Sequence, residues 1–150
     1  MRKGDIGLTD LINESSVKKS DPRIMALAHF DEFMAALALA KVKTGLKDLE
    51  VIQNYVSAIM SLISGLKADL NTAAITFIEE KTVELEKEVT IPEGFIIPGE
   101  NETEAVVNFA RTKCRTAEVC LTALNLQEMD GYHFINRCSK YLFLLSLKYR

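Results

Sequence analysis

Apolar residues recur every three or four positions along most of this 150-residue chain, and this spacing constrains its fold more than any other feature. The clearest series is Val106, Val107, Ala110, Cys114, Ala117, Leu121 and Leu124. Only seven glycines and three prolines interrupt such series, so the predicted helices are long. We therefore predict an all-α fold, a five-helix bundle, in one domain over residues 1–150.

End signals place the predicted helices at about 22–43, 46–70, 72–89, 102–126 and 130–148. Asp21 and Pro22 stand in the order of an N-cap and a first helical residue, and Asn71 or Thr72 is the expected cap of the third helix. The fifth helix is apolar on most sides. Such a helix lies inside a bundle or beneath a neighbouring subunit.

Composition and charge argue against several classes of function. The net charge of −3 disfavours a nucleic-acid binder, which concentrates Lys and Arg on one face. Cys114, Cys120 and Cys138 match no zinc or disulfide spacing, which favours a reduced, cytoplasmic location. With only His29 and His133 available, we expect no histidine-rich metal site. We expect neither a signal peptide nor a bilayer-spanning segment.

Asp31 is surrounded at helical spacing by apolar residues, namely Leu27, Ala28, Met34 and Ala35. If that face is buried, the carboxylate needs a cation or several hydrogen bonds. The alternative is a partly exposed position at the edge of the apolar face.

Polar residues of the fourth predicted helix form a polar stripe, Glu104, Asn108, Arg111, Arg115 and Glu118, at alternating spacings of four and three. Stripes of this kind are commonly solvated faces. However, Arg111 and Arg115 lie one turn apart, and two guanidinium groups so placed suit a carboxylate or a phosphate. Both interpretations remain open at this point.

Two segments outside the helices also carry candidate binding residues. Residues 1–20 are predicted to form a mobile arm, in which residues 4–9 (GDIGLT) suit either a phosphate-cradling turn or plain flexibility. Residues 91–99 are predicted to form a loop because they contain two prolines and two glycines. Phe95 and Ile97 are unusually apolar for a solvated connection.

In chain order, six segments resemble the motifs of the PduO-type ATP:corrinoid adenosyltransferases. Residues 4–9 resemble G-D-K-G-x-T, residues 21–23 match D-P-R, and residues 30–32 resemble V-D-E. Residues 95–99 resemble F-I-L-P-G, residues 110–119 resemble A-R-T-x-x-R-R-A-E-R, and residues 135–143 resemble L-N-R-L-S-D-Y-L-F. These segments cover nearly the whole chain, and their shared order makes the resemblance specific.

The resemblance implies a homotrimer with active sites between subunits, and transfer of the adenosyl group of ATP to the cobalt of cob(I)alamin with release of triphosphate. By resemblance, Asp31 of one subunit pairs with Arg111 of another, and Phe95 presses on the lower face of the corrin. The residues implied to hold ATP, with Mg²⁺, are Gly4, Asp5, Gly7, Thr9, Lys19, Arg115, Glu118 and Asn136.

Several positions depart from the family's motifs. Ile6 stands in place of a lysine, and Thr116 and Val119 stand in place of arginines. Asn108 replaces a histidine, and Glu100 replaces a glycine. Because about three cations are missing from an anion site, a non-catalytic relative that binds corrinoid or nucleotide is the main alternative. A generic helical interaction module would explain the bundle but not the six ordered motifs.

Overall fold

The computed structural model describes residues 1–68, 70, 72–126 and 129–150. Within them lie five α-helices: α1 (Pro22–Thr44), α2 (Lys47–Ile63), α3 (Thr72–Glu88), α4 (Glu102–Thr122) and α5 (Asp130–Lys148). The predicted five-helix bundle is therefore confirmed. No helix in the described part of the chain is long and apolar enough to cross a membrane.

The ends of α1 follow the predicted signals. The Asp21 carboxylate accepts a hydrogen bond of 2.8 Å from the backbone N–H of Arg23, and Pro22 is the first helical residue. At the other end Gly45 adopts a left-handed conformation (φ 70°) and donates its N–H to the Lys41 carbonyl. Only glycine adopts this conformation without strain, so the helix ends there.

Two helices are shorter than predicted, and local backbone bonding gives the reason. The second was expected to reach residue 70 but ends at Ile63, where Leu66 N–H bonds the Ser61 carbonyl and Gly65 N–H bonds the Leu62 carbonyl. This paired bonding around a left-handed Gly65 is a Schellman motif, which closes a helix. The fourth ends at Thr122 rather than 126, just before Asn125, whose φ is 54°. The cap predicted at Asn71 lies outside the described residues.

Helix α5 occupies the centre of the bundle. It packs against α4, α3 and α2, and its buried residues are Gly131, Phe134, Ile135, Cys138, Tyr141, Leu142, Leu144, Leu145 and Ser146. Its apolar character is therefore satisfied within one chain. Of the two sequence-based alternatives, a position inside the bundle is correct, and the composition of α5 gives no argument for association.

The N-terminal segment is not the mobile arm predicted for residues 1–20. After a short 3₁₀ turn (Lys3–Ile6), strands β1 (Leu8–Leu11) and β2 (Glu14–Lys18) form an antiparallel hairpin. The Val17 side chain is buried, and the Glu14 carboxylate forms an ion pair with the Arg23 guanidinium at 2.7 Å. These contacts attach the hairpin to α1, so the all-α prediction is incomplete for this segment.

The hairpin and the loop between α3 and α4 lie at opposite ends of the bundle. Asn13 donates to the carbonyl of Gly65, which follows α2, so the hairpin lies at the end where α2 finishes. At the other end lies the Phe95 loop (residues 91–100), where the Arg150 guanidinium donates to the Ile97 carbonyl at 3.0 Å. Helix α4 runs from the Phe95 loop towards the hairpin end.

Candidate active site

Four members of the polar stripe lie along the side of α4 that faces α5. Arg111 Nε donates to Asn108 Oδ1 at 2.8 Å, and Glu118 accepts from the hydroxyl of Tyr132 on α5 at 3.1 Å. Arg115, between them, is exposed. Seven residues separate Arg111 from Glu118, which corresponds to about 10 Å along a helix. The stripe therefore offers two cations and one carboxylate along the middle of α4.

Glu104 lies on the same face of α4 as Asn108 and Arg111, but unlike the rest of the stripe it is buried. Its side chain is only 2% exposed and turns back towards the Phe95 loop, where it accepts hydrogen bonds from the backbone N–H groups of Gly99 and Glu100. Helical spacing alone could not reveal this, because the partners of Glu104 lie in a segment with no periodicity.

The two arginines of the stripe lack an anionic partner in the described part of the chain. Arg111 makes no ion pair there, and its side chain donates instead to the neutral amide of Asn108. Burial, and secondarily the charge of Arg115, lower the pKa of the Arg111 guanidinium. Both effects disfavour the unpaired cation, so a carboxylate or phosphate at this position would be stabilising.

An open cavity of about 510 Å³ lies where the stripe meets the Phe95 loop. Phe95, Asn108, Arg111 and Phe143 contribute to its wall. Apolar side chains from the loop and α5 thus face a guanidinium from α4. Such a cavity suits a large ligand that has both apolar and anionic parts.

Phe95 itself is fully exposed, and Ile97 in the same loop is 82% exposed. Phe95 therefore does not plug the end of the bundle, since a plug would be buried. The ring lies at the wall of the cavity without being covered by it. An exposed aromatic ring beside an open cavity is available to contact a ligand or a second protein chain.

Asp31 is exposed on the outward face of α1. Within one chain this agrees with the alternative of an exposed position at the edge of the apolar face. It makes no ion pair or hydrogen bond within the described residues. The neighbouring Glu32 instead pairs with Lys113 of α4 at 2.7 Å. Exposed apolar residues of the same helix include Leu39 and Val42, which are 57% and 83% exposed. A pair between Asp31 and Arg111 does not form inside one chain, and the predicted pair between subunits stays a prediction.

The predicted nucleotide-binding residues of the N-terminal segment form a closed local structure. The Lys19 ammonium donates to the Gly4 carbonyl at 3.1 Å, and the Lys19 N–H donates to the Gly7 carbonyl at 2.9 Å. The Asp5 carboxylate accepts from the Arg2 N–H at 2.9 Å, and Thr9 pairs with Val17 across the hairpin. The structure thus brings Gly4, Gly7 and Lys19 together.

Asn136 is exposed on α5, one turn after Tyr132. Tyr132 bonds Glu118, and Phe143 lines the cavity beside Arg111. Asn136 lies between Tyr132 and Phe143 on the same face of α5, so this face lies along the polar stripe. Tyr132 was not predicted from sequence, because a tyrosine near a helix start carries no distinctive pattern. The predicted residues Arg111, Arg115, Glu118 and Asn136 therefore line one surface.

Cysteine and metal chemistry have little support among the described residues. Burial raises the pKa of the Cys114 and Cys138 thiols, so neither offers a thiolate nucleophile near neutral pH. The three cysteines are free. In the part of the chain that is described, no three His, Cys, Asp or Glu side chains lie close enough together to hold a metal ion.

Comparison with protein families gives a match over nearly the whole chain. The family model described as cobalamin adenosyltransferase matches residues 1–149. The corrinoid adenosyltransferase PduO of Citrobacter freundii is 31% identical over 160 residues, which cover 97% of this chain and 48% of the relative. This chain therefore spans about half the length of that relative. The corrinoid adenosyltransferase of Mycobacterium tuberculosis is 28% identical over 165 residues, which cover 97% of this chain and 84% of the relative.

Solved structures with the same fold include two variants of the PduO-type ATP:corrinoid adenosyltransferase from Lactobacillus reuteri. The first, complexed with cobalamin and ATP, has a TM-score of 0.84 and 26% identity, and the match covers 97% of this chain and 90% of that one. The second, complexed with ATP, has a TM-score of 0.84 and 25% identity, with 97% and 91% covered.

Proposed function

The chain belongs to the cobalamin adenosyltransferase family, and from this membership we propose that it transfers the 5′-deoxyadenosyl group of ATP to the cobalt of a reduced corrinoid. One observation supports this most strongly. The unpaired arginines Arg111 and Arg115 lie between the cavity beside Phe95 and the end of the bundle that carries the hairpin. A long substrate with an anionic centre could contact all three parts.

The chemistry fits the side chains that the site offers. Cob(I)alamin is itself the nucleophile. Its cobalt forms a bond to the 5′ carbon of ATP, while the bond from that carbon to the triphosphate oxygen breaks and triphosphate leaves. The protein needs to place two substrates and to stabilise the departing negative charge, and Arg111 and Arg115 supply cations for that purpose. No nucleophilic side chain is required, which agrees with the buried thiols.

In this proposal ATP lies along the polar stripe, held by Arg115, Glu118 and Asn136 and by the N-terminal segment. The N-terminal residues that contribute are Gly4, Asp5, Gly7, Thr9 and Lys19. Mg²⁺ accompanies ATP mainly through the phosphates, as is usual for this ion. Glu118 fits the role of an additional oxygen ligand, since within the described residues its carboxylate accepts a hydrogen bond from Tyr132 at Oε1 and has a second oxygen to offer.

The corrinoid lies at the cavity beside Phe95. An apolar ring pressed on the lower face of the corrin excludes the lower axial ligand and water, which favours four-coordinate cobalt before reduction. Full exposure of Phe95 in the single chain agrees with this role, because the ring is free to meet a ligand.

The complete site is proposed to lie between subunits of a homotrimer, with Asp31 of one subunit paired with Arg111 of the next. Two observations support this assembly. Asp31 and Arg111 are both without an oppositely charged partner in the described chain, and the α1 face around Asp31 exposes Leu39 and Val42.

A cytoplasmic location also stays a prediction.

A non-catalytic relative that binds corrinoid or nucleotide is the second candidate. Ile6 and Val119 are 54% and 60% exposed at positions where the family's motifs carry cations, so the anion site has fewer positive charges. An anaerobic assay with ATP and chemically reduced cobalamin separates the two candidates. Formation of adenosylcobalamin supports the transferase, whereas corrinoid binding without product supports the non-catalytic relative.

A further inference from the structure

We propose that Glu104 is a positioning residue for Phe95, because its buried carboxylate holds the Phe95 loop against the start of α4. The contacts are direct. Glu104 Oε2 accepts from the Gly99 N–H at 2.5 Å and from the Glu100 N–H at 3.2 Å. Both donors lie within five residues of Phe95. The effect on catalysis rests on the proposed adenosyltransferase function, whereas the anchoring of the loop does not.

The Phe95 loop has few other means of holding its shape. Within the described residues, no backbone-to-backbone hydrogen bond joins residues 91–100 to any part of the chain. Gly94 and Gly99 both have left-handed backbones, with φ of 84° and 106°, and they bracket the segment that carries Phe95. Glycine is also the residue with the most backbone freedom to lose on ordering. Side-chain anchors therefore decide where the loop lies.

One other side chain bonds the loop from outside. Arg150 donates to the Ile97 carbonyl at 3.0 Å and pairs with the Glu100 carboxylate at 2.6 Å. That ion pair is partly exposed, so solvent screens it. Glu104 is the buried anchor, with a side chain 2% exposed. The Glu104 contact is stronger than the Arg150 contact, because a charged acceptor binds two N–H groups away from water.

The position of Glu104 on α4 explains why its charge is tolerated in a buried place. It is the third residue of the helix, where the helix dipole and the unpaired N–H groups favour a carboxylate. A Glu at this position usually reaches back to the N–H of the cap residue. Here the cap is Asn101, and the carboxylate reaches beyond it to Gly99 and Glu100. The contact thus serves the loop rather than the helix end.

Glu104 also lines the cavity that contains Phe95 and Arg111. One helix therefore carries both the anchor of the loop and the arginine of the polar stripe, seven residues apart. The anchor therefore restricts how far the Phe95 loop can move from Arg111. Loss of the anchor should let Phe95 move relative to Arg111 without unfolding the bundle, whose core lies among the helices.

Hydrogen–deuterium exchange on the full chain tests the anchor without reference to activity. We compare the wild type with Glu104→Ala, the isosteric Glu104→Gln, and the control Glu102→Gln, which changes an exposed carboxylate in the same helical turn. Glu104→Ala should speed exchange of the Gly99 and Glu100 amides by about tenfold or more, since a charge-assisted bond is lost. Glu104→Gln should speed it less, and Glu102→Gln should leave it unchanged. Unchanged loop exchange in Glu104→Ala and Glu104→Gln would overturn the proposal.

A second measurement tests the link to Phe95. With ATP bound, the spectrum of cob(II)alamin should show less of the four-coordinate form in both Glu104 variants than in the wild type. Their kcat should fall while KM for ATP stays within about twofold. A looser loop with an unchanged spectrum and unchanged kcat would show that Glu104 does not position Phe95. A wild type without any transfer activity would refute the proposed function, and the exchange data would still decide whether Glu104 anchors the loop.

Discussion

At the residue scale, the site consists of groups that one chain leaves unsatisfied. Among the residues that the structure describes, Arg111 has an amide but no carboxylate partner, Asp31 has no cation, and the Phe95 ring has no cover. A partly buried cation without a counterion and a fully exposed aromatic ring both favour contact with a ligand or a second chain, and an exposed carboxylate is available to pair with such a cation. The three residues therefore mark the places where substrates and neighbouring subunits are expected to bind.

Replacement of Phe95 by Ala should lower kcat sharply and leave KM for ATP and the melting temperature nearly unchanged. The ring is fully exposed, so its removal leaves no cavity in the core. Steady-state kinetics and thermal unfolding measure the two effects. Ile97→Ala, in the same loop and 82% exposed, is the matched control and should affect kcat much less. A drop of several degrees in melting temperature for Phe95→Ala would instead indicate a packing role.

Glu104 shows what sequence reasoning at this scale could not reach. The spacing correctly placed the polar stripe on one face of α4, but it could not show that Glu104 is the buried member of that stripe. The Glu104 carboxylate accepts hydrogen bonds from the Phe95 loop. A loop without periodicity gives no sequence signal for such a contact. Phe95 was recognisable because its apolar character contradicted its place in a loop.

At the element scale, the helices were predictable and the N-terminal hairpin was not. Asp21, Pro22 and Gly45 are strong end signals, and they placed α1 correctly. The early end of α2 depends on backbone hydrogen bonds around Gly65. A single glycine within a periodic apolar pattern does not by itself mark a helix end. Residues 1–20 are polar, and their order comes from tertiary contacts such as the ion pair between Glu14 and Arg23, which a local pattern cannot show.

Replacement of Gly7 by Ala should raise KM for ATP by several-fold, because Gly7 has a φ of 75° that alanine adopts only with strain of about 1–2 kcal/mol. No atom lies within 4 Å of a Cβ built there, so backbone strain is the whole effect. The matched control is Gly45→Ala, which has the same strain (φ 70°) at the end of α1. It should lower the melting temperature similarly and leave KM for ATP unchanged. If the two variants had equal KM values for ATP, the N-terminal turn would not be part of the ATP site.

At the scale of the whole molecule, the proposed pair between Asp31 of one subunit and Arg111 of the next would join two different surfaces of the chain. Asp31 lies on the outward face of α1, and Arg111 lies on the side of α4 that faces α5. A contact between two copies that joins these different surfaces is heterologous, and repeated heterologous contacts close into a ring when the rotation allows it. The resemblance to the PduO-type family implies three copies, so we expect sedimentation to give a mass near three times the 16.8 kDa of one chain.

Asp31→Ala and Arg111→Ala should each weaken this assembly by about 3–5 kcal/mol, since removing one member of a buried ion pair strands the other charge. Sedimentation equilibrium over a dilution series measures the loss. Glu32→Gln is the control, because Glu32 is the next residue and pairs with Lys113 at the surface of its own chain. It should leave the assembly intact. A wild type that stays monomeric at micromolar concentration, or an Asp31→Ala variant that assembles normally, would contradict the pairing.

The most direct test of the whole account is a single-turnover reaction under anaerobic conditions, with enzyme, ATP and a limiting amount of cob(I)alamin. We expect one adenosylcobalamin and one triphosphate per corrinoid consumed, measured by visible spectrum and by chromatography of the phosphates. Arg115→Ala should abolish most of both products together, because Arg115 is the cation proposed to hold ATP and to stabilise the departing triphosphate. A wild-type protein that binds the corrinoid and ATP yet forms neither adenosylcobalamin nor triphosphate would contradict the account.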